Sequence, residues 1–126
     1  MDTKQTVLLV EDDSFLREIM ANKLRSAGYG VEEATSGEVA LHALEKLRPD
    51  LILLDLILPE MNGFELVENM KKDQQLREIP VMFLSNYAEA EGMERGKELG
   101  VQDYLVKAHV TPSEVLRHVE EFFATR

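Results

Sequence analysis

Apolar residues fall into two patterns along this chain. Four are short unbroken runs: Val7-Leu8-Leu9-Val10, Leu51-Ile52-Leu53-Leu54, Val81-Met82-Phe83-Leu84 and Tyr104-Leu105-Val106. A run of strand length with no polar face predicts a strand covered on both sides, as in a parallel sheet. A fifth segment, Val31-Glu32-Glu33-Ala34, is short and charged, as suits an edge strand.

Between these runs the apolar positions recur at helical spacing. Phe15, Leu16, Ile19, Met20, Leu24 and Ala27 predict a first helix, with Gly28 as the residue that ends it. Val39, Ala40, Ala43, Leu44 and Leu47 predict a second, closed by Pro49, and Phe64, Val67 and Met70 a third that begins near Gly63. A fourth, over residues 88–99, contains Gly92 and Gly96; each costs about 1 kcal/mol relative to Ala, so this helix is expected to be the weakest. The fifth opens on Thr111-Pro112-Ser113-Glu114, an N-cap Thr, a first-turn Pro and a capping-box Glu, and continues with Val115, Leu116, Val119, Phe122 and Phe123. Strand and helix therefore alternate five times. Helical crossovers make the strands parallel and wind helices onto both faces of an open sheet. Ligands in such sheets bind beyond the carboxyl ends of the strands.

Composition narrows the class. The 126 residues suit one compact domain, expected to span residues 1–126, and 44% hydrophobic with 30% charged is ordinary globular usage. There is no cysteine, which excludes disulfides and thiolate metal sites and suits a reducing compartment. The opening Met1-Asp2-Thr3-Lys4-Gln5 leads into an apolar run too brief for a signal peptide, and no stretch approaches a membrane span. A cytoplasmic protein without membrane contact is expected. The net charge of −10 argues against direct nucleic-acid binding, which needs clustered cations to release phosphate counterions. It favours a cation or a basic protein surface as partner.

The residues that end the strands carry the chemistry. Glu11, Asp12 and Asp13 follow the first strand, Asp55 the third, Ser85 the fourth and Lys107 the fifth. In a parallel sheet all project at one edge. Carboxylates crowded there need a compensating cation, and an all-oxygen donor set selects a hard ion, Mg²⁺. An Asp after a strand is often only a helix N-cap, and Asp13 fits that role. Asp55 does not: it lies between Leu51-Ile52-Leu53-Leu54 and Leu56-Ile57-Leu58, inside core sequence, where an unpaired charge is costly. His42, His109 and His118 show no ligand spacing and are read as surface or helix-face residues; the methionines are read as core filler.

Taken together, Leu9-Val10-Glu11-Asp12-Asp13, Leu53-Leu54-Asp55-Leu56-Ile57-Leu58-Pro59-Glu60-Met61-Asn62-Gly63, Leu84-Ser85 and Gly100-Val101-Gln102-Asp103-Tyr104-Leu105-Val106-Lys107 resemble the receiver domain of two-component response regulators over essentially the whole chain. The resemblance implies a flavodoxin-like, doubly wound five-stranded parallel sheet in the order 2-1-3-4-5 with five helices. It implies that Asp55 is the phosphoacceptor and that Lys107 pairs with it. Glu11, Asp12, Asp55 and the backbone carbonyl of Ile57 are then the Mg²⁺ site. Ser85 is the switch hydroxyl and Tyr104 the switch aromatic. The phosphoryl donor implied is a sensor histidine kinase or histidine phosphotransfer protein.

The output implied is a change in the face of the fourth helix, fifth strand and fifth helix, read by an unknown downstream protein or by a phosphorylation-dependent homodimer. No DNA-binding or catalytic domain follows the receiver-like sequence, so output by protein contact is expected. Such a domain catalyses only its own phosphorylation and dephosphorylation and is not an enzyme in the usual sense.

The sequence departs from that family in one place and is unusual in three others. Ala108 follows Lys107 where the family usually has a cis proline, so a trans peptide is expected. Asn86 is bulkier than the residue usual after the switch hydroxyl. Ile57 and Tyr87 flank the phosphorylation site, and they are expected to restrict water and slow dephosphorylation. Two other functions fit worse. An aspartyl phosphatase would want a second Asp two residues after the nucleophile, where Ile57 stands. A flavin-binding module would want a Ser/Thr/Gly-rich phosphate loop after the first strand, where acids stand.

Overall fold

The computed structural model describes residues 4–126; the opening Met1-Asp2-Thr3 lies outside the described residues. Strand and helix alternate as the apolar pattern requires: β1 (Thr6–Val10), α1 (Ser14–Ser26), β2 (Gly30–Ala34), α2 (Gly37–Leu44), β3 (Leu51–Leu54), α3 (Gly63–Lys71), β4 (Val81–Ser85), α4 (Glu89–Leu99), β5 (Asp103–Val106) and α5 (Pro112–Ala124), with a 3-10 turn over Lys107–His109. The five strands form one parallel sheet in the order β2-β1-β3-β4-β5, a flavodoxin-like doubly wound fold.

Alternate residues of each unbroken run serve opposite faces of the sheet. Val7, Leu9, Leu51, Leu53, Met82 and Leu84 pack with Met20, Ala21 and Leu24 of α1 and Val115 and Val119 of α5. Leu8, Val10, Ile52, Leu54, Val81 and Phe83 pack with Ala40 and Leu44 of α2 and Phe64, Leu66, Val67 and Met70 of α3. Burying each such side chain contributes about 1.5–3 kcal/mol. Both faces are dry, which is why the central strands show no polar alternation.

Helix ends follow local chemistry. Asp13 caps α1 by accepting from the Leu16 N–H at 3.0 Å, and Gly28 takes the left-handed turn after it at φ 99°. Ser36 caps α2, while Asn62 with Glu65 and Thr111 with Glu114 form capping boxes on α3 and α5. By contrast α4 begins at Ala88 with no side-chain cap. The second helix stops at Leu44, short of the expected closure at Pro49; the chain turns there through the Lys46 and Leu47 N–H groups on the Ala43 carbonyl, and Arg48 Nη1 donates to the Leu44 and Leu47 carbonyls at 2.6 and 3.2 Å.

Three apolar residues depart from their expected burial. Phe15 is 74% exposed, and Val39 and Met93 are also exposed. Phe15 and Val39 lie in the opening turns of their helices, where the helix has not yet come over the sheet. Of the other methionines, Met20, Met70 and Met82 are core and Met61 is half-buried against it, whereas Met1 lies outside the described residues. The edge strand β2 keeps its acids in solvent, and Glu33 is held there by Arg17 at 3.2 Å and Arg25 at 3.1 Å.

Candidate functional site

Strand register brings the acids together. Val10 pairs with Leu54 on one side and Ala34 on the other, so Glu11 and Asp55 leave adjacent strands at the same level. The Glu11 N–H donates to the Ala34 carbonyl at 3.0 Å and the Asp55 N–H to the Val10 carbonyl at 3.1 Å, which fixes both backbones up to the acids themselves. Pairing of Ser85 with Val106 likewise sets Lys107 one residue beyond the end of its strand, next to Ser85.

Glu11 is 2% exposed and Asp55 4%, whereas Asp12 is exposed; one oxygen from each lies within 4.8 Å of the others. Lys107 Nζ donates to Asp55 Oδ2 at 2.6 Å and pairs with Glu11 Oε1 at 2.7 Å. One ammonium thus serves two buried carboxylates. Burial pushes the Glu11 carboxyl above its ordinary value, against hydrogen bonds from Lys107 and the Asp13 N–H. Burial alone would lower Lys107, but its bonds to Asp55 and Glu11 outweigh that and hold the ammonium above its ordinary value. Three carboxylates facing one lysine leave negative charge uncompensated. Their oxygen donors fit a hard divalent cation, and no nitrogen or sulfur ligand is among them.

The loop after Asp55 turns back sharply beside the acids. The Ile57 N–H donates to Asp55 Oδ1 at 3.0 Å, while the Ile57 side chain is 56% exposed at the rim. Met61 N–H reaches the Pro59 carbonyl at 2.7 Å around Glu60, whose φ is 65°; this γ-turn folds the chain back sharply. Gly63 then passes so close to β3 that a Cβ would stand 2.8 Å from the Asp55 carbonyl oxygen and 2.9 Å from Leu56 Cα. Backbone leaves no room there for a side chain.

On the other side, Ser85 is fully buried and its hydroxyl accepts from the Tyr87 N–H at 3.2 Å. The Tyr104 hydroxyl donates to the Tyr87 carbonyl at 2.9 Å, and its ring lies edge-on to Phe83. Gly92 makes the slot for that ring: a Cβ there would meet Tyr104 Cε2 at 2.5 Å. Gly96 plays the same part against Val101 and Phe83. The two glycines of α4 are therefore packing requirements. Burial, then Glu89, Asp55 and Tyr87, raise the Tyr104 hydroxyl above its ordinary value.

The structure brings Glu11, Asp12, Asp55 and Lys107 together, with the Ile57 N–H bonded to Asp55; Ser85 ends the adjacent strand β4, and Tyr104 is bonded to the Tyr87 carbonyl in the loop that follows it. Among the described residues no peptide bond is cis, so the bond between Lys107 and Ala108 is trans. Sequence reasoning did not find the Glu11–Lys107 pair, nor the hydrogen bond at 2.9 Å from the Ala108 N–H to Asn86 Oδ1. A non-proline at 108 next to a bulky amide at 86 was the available signal for the latter. His118 pairs with Asp103 at 3.0 Å on the far side of β5, away from any ligand set.

Comparison with known proteins agrees with the geometry. A model of the response regulator receiver domain family matches residues 7–120. The chain is 34% identical over 114 residues to the phosphate regulon transcriptional regulatory protein PhoB of Escherichia coli, covering 90% of this chain and 49% of that protein. It is 36% identical over 120 residues to the DNA-binding response regulator MtrA of Mycobacterium bovis, covering 94% and 51%. The chain spans about half the length of these curated relatives, and 41% of a probable transcriptional regulator of Guillardia theta. Among solved structures, the chemotaxis response regulator CheY4 of Vibrio cholerae superimposes with a TM-score of 0.86 at 33% identity, covering 94% of this chain and 98% of that one. A response regulator structure from Chloroflexus aurantiacus gives 0.87 at 32%, covering 97% and 99%. No helix among the described residues is long and apolar enough to cross a membrane.

Proposed function

The chain belongs to the response regulator receiver family of two-component systems, and from that premise we propose that Asp55 is its phosphoacceptor and that residues 1–126 act as a single receiver unit. The observation that carries this reading is a buried carboxylate held by a lysine at 2.6 Å, with two further acids close enough to share a cation. In our reading Glu11, Asp12, Asp55 and the Ile57 carbonyl hold Mg²⁺. When bound, that ion supplies a hard positive charge to the oxygens of the phosphoryl group.

The donor in the signalling system is in our reading a phosphohistidine, on a sensor histidine kinase or a histidine phosphotransfer protein. An Asp55 oxygen attacks phosphorus while the phosphorus–nitrogen bond breaks and its electron pair returns to the imidazole, which takes up a proton. The transition state is loose, so positioning and charge do most of the work. Lys107 holds the Asp55 carboxylate in place before transfer and pairs with phosphoryl oxygens after it. The domain would thus assist only its own phosphorylation and the later hydrolysis.

Ser85 then has a new acceptor. Its hydroxyl turns from the Tyr87 N–H toward the phosphoryl group, the loop before α4 follows, and Tyr104, tied to the Tyr87 carbonyl, reads the movement. Inverting a 1:99 equilibrium takes about 5.5 kcal/mol, which two charge-assisted hydrogen bonds of about 3 kcal/mol each, or three of about 2 kcal/mol, supply. The altered face of α4, β5 and α5 is offered to a downstream protein or to a second phosphorylated copy. Incubation with acetyl phosphate and Mg²⁺ followed by intact-mass measurement tests the core of this. The wild type gains one phosphoryl group and Asp55→Asn gains none; an unmodified wild type, or equal modification of both, refutes the assignment.

A further inference from the structure

We propose that Asn86 is a positioning residue for Lys107, tying the turn that carries the lysine to the strand end that carries Ser85. The proposal rests on the reading of Asp55 as phosphoacceptor. The β4–β5 ladder ends at the pair Ser85–Val106. Beyond it the chains separate: Tyr87 folds its N–H back onto Ser85, and Lys107 enters the 3-10 turn Lys107–His109. Asn86 bridges the gap with its side chain, Oδ1 accepting from the Ala108 N–H at 2.9 Å across 22 residues of sequence. The bridge adds one rung to the sheet where backbone pairing has stopped.

Both ends of that rung adjoin residues of the proposed site. Residue 86 directly follows Ser85, and residue 108 directly follows Lys107, whose Nζ lies 2.6 Å from Asp55 and 2.7 Å from Glu11. A lysine at the start of a short turn has a long, flexible side chain, and its reach depends on where its backbone is anchored. Small errors in the placement of a reacting group cost large factors in rate. Through Asn86, inward movement of the Ser85 loop also carries the Lys107 turn, so the hydroxyl and the ammonium approach the phosphoryl oxygens as one unit. The rung exists because residue 108 is not proline: Ala108 has an N–H to give, and a trans peptide points the chain into the turn.

Asn86 and Ala108 are both exposed, so loss of the bond should leave the core intact. A hydrogen bond of ordinary net strength predicts that Asn86→Ala slows phosphorylation by acetyl phosphate with Mg²⁺ by about 2- to 10-fold. The Ala108 amide should exchange with solvent faster by a similar factor, with the melting temperature nearly unchanged. Ala108→Pro removes the donor and should slow the reaction comparably, whereas Ala108→Gly keeps the N–H and should not. In the double variant Asn86→Ala with Ala108→Pro, the effects should not multiply, because both remove one bond. The proposal is overturned by a wild-type rate in Asn86→Ala, by multiplying effects, or by an Ala108 amide indifferent to residue 86. A wild type that takes no phosphoryl group sinks the phosphoacceptor reading itself. Phosphorylation of the wild type with no effect of Asn86→Ala sinks only the tie.

Discussion

Replacing Lys107 by Met is the most revealing perturbation of the pocket, because it leaves the shape and removes the charge. Glu11 and Asp55, 2% and 4% exposed, then face each other without their shared ammonium. If both stayed ionised, removing the partner of a buried pair would cost about 3–5 kcal/mol. The protein has an escape, which is to protonate one of them. Glu11 is the natural choice, since burial already raises its carboxyl from an ordinary value of 4.5. At 1.36 kcal/mol per pH unit, neutralising such a group costs about 3.4 kcal/mol at pH 7 and about 0.7 kcal/mol at pH 5.

Metal-free Lys107→Met should therefore be less stable than wild type by about 3 kcal/mol at pH 7, and by less than about 1 kcal/mol at pH 5. The sign follows from linkage. A carboxyl that binds its proton more tightly when folded adds stability below its unfolded value and loses that contribution as pH rises toward its folded value. For a chain of this size the gap amounts to roughly 10–15 °C in melting temperature at pH 7, closing to about 3 °C at pH 5. Urea titrations of both proteins with chelator present, at pH 5, 6 and 7, measure it directly. A gap that does not change with pH, or one below about 1 kcal/mol at pH 7, would refute the shared-counterion account.

Other outcomes follow from neighbouring contacts. Gly92→Ala gains roughly 1 kcal/mol of helix propensity but places a methyl group 2.5 Å from Tyr104 Cε2; the ring should leave its slot and the Tyr104–Tyr87 bond break, visible as a changed Tyr104 ring signal by NMR, and an unchanged signal counts against the packing argument. Ile57→Asn and Tyr87→Ala should each shorten the aspartyl-phosphate lifetime, Ile57 by admitting water at the rim and Tyr87 by opening its contact with Phe64; equal lifetimes would end that idea. Glu114→Gln keeps an oxygen for the Thr111 N–H and removes only charge. Its loss of stability should be full above the unfolded carboxyl range and vanish as pH falls through the lowered folded value, because hydrogen bonds from Thr111 depress this carboxyl. Thermal melts from pH 7 down to 3 would show whether the two curves converge.

Much of the site could be read from the chain because its residues stand directly after unbroken apolar runs. A parallel sheet sends every such position to one edge, so Glu11, Asp55, Ser85 and Lys107 needed only the strand assignment to be placed together. What escaped the sequence depended on contacts that no periodicity encodes. That Lys107 bonds Glu11 as well as Asp55 depends on side-chain reach across three strands. The rung between Asn86 and Ala108 depends on two turns whose directions are fixed by tertiary contacts. The packing role of Gly92 and Gly96 escaped as well, since their partners Tyr104, Val101 and Phe83 come from other elements. Phe15 and Val39 satisfied the helical period but fall in turns that the sheet does not cover.

The sheet is also a partition. Phe64, Phe83, Tyr87 and Tyr104 touch edge to face, with ring centres 5.4 to 6.1 Å apart, and all lie on the side covered by α2 and α3. The side under α1 and α5 has its own apolar filling and shares no buried side chain with that aromatic chain. Rearranging the aromatic layer therefore leaves α1 and the apolar filling beneath it as a fixed reference. Hydrogen exchange after beryllofluoride treatment should loosen or tighten amides of α4 while those of α1 keep their native protection.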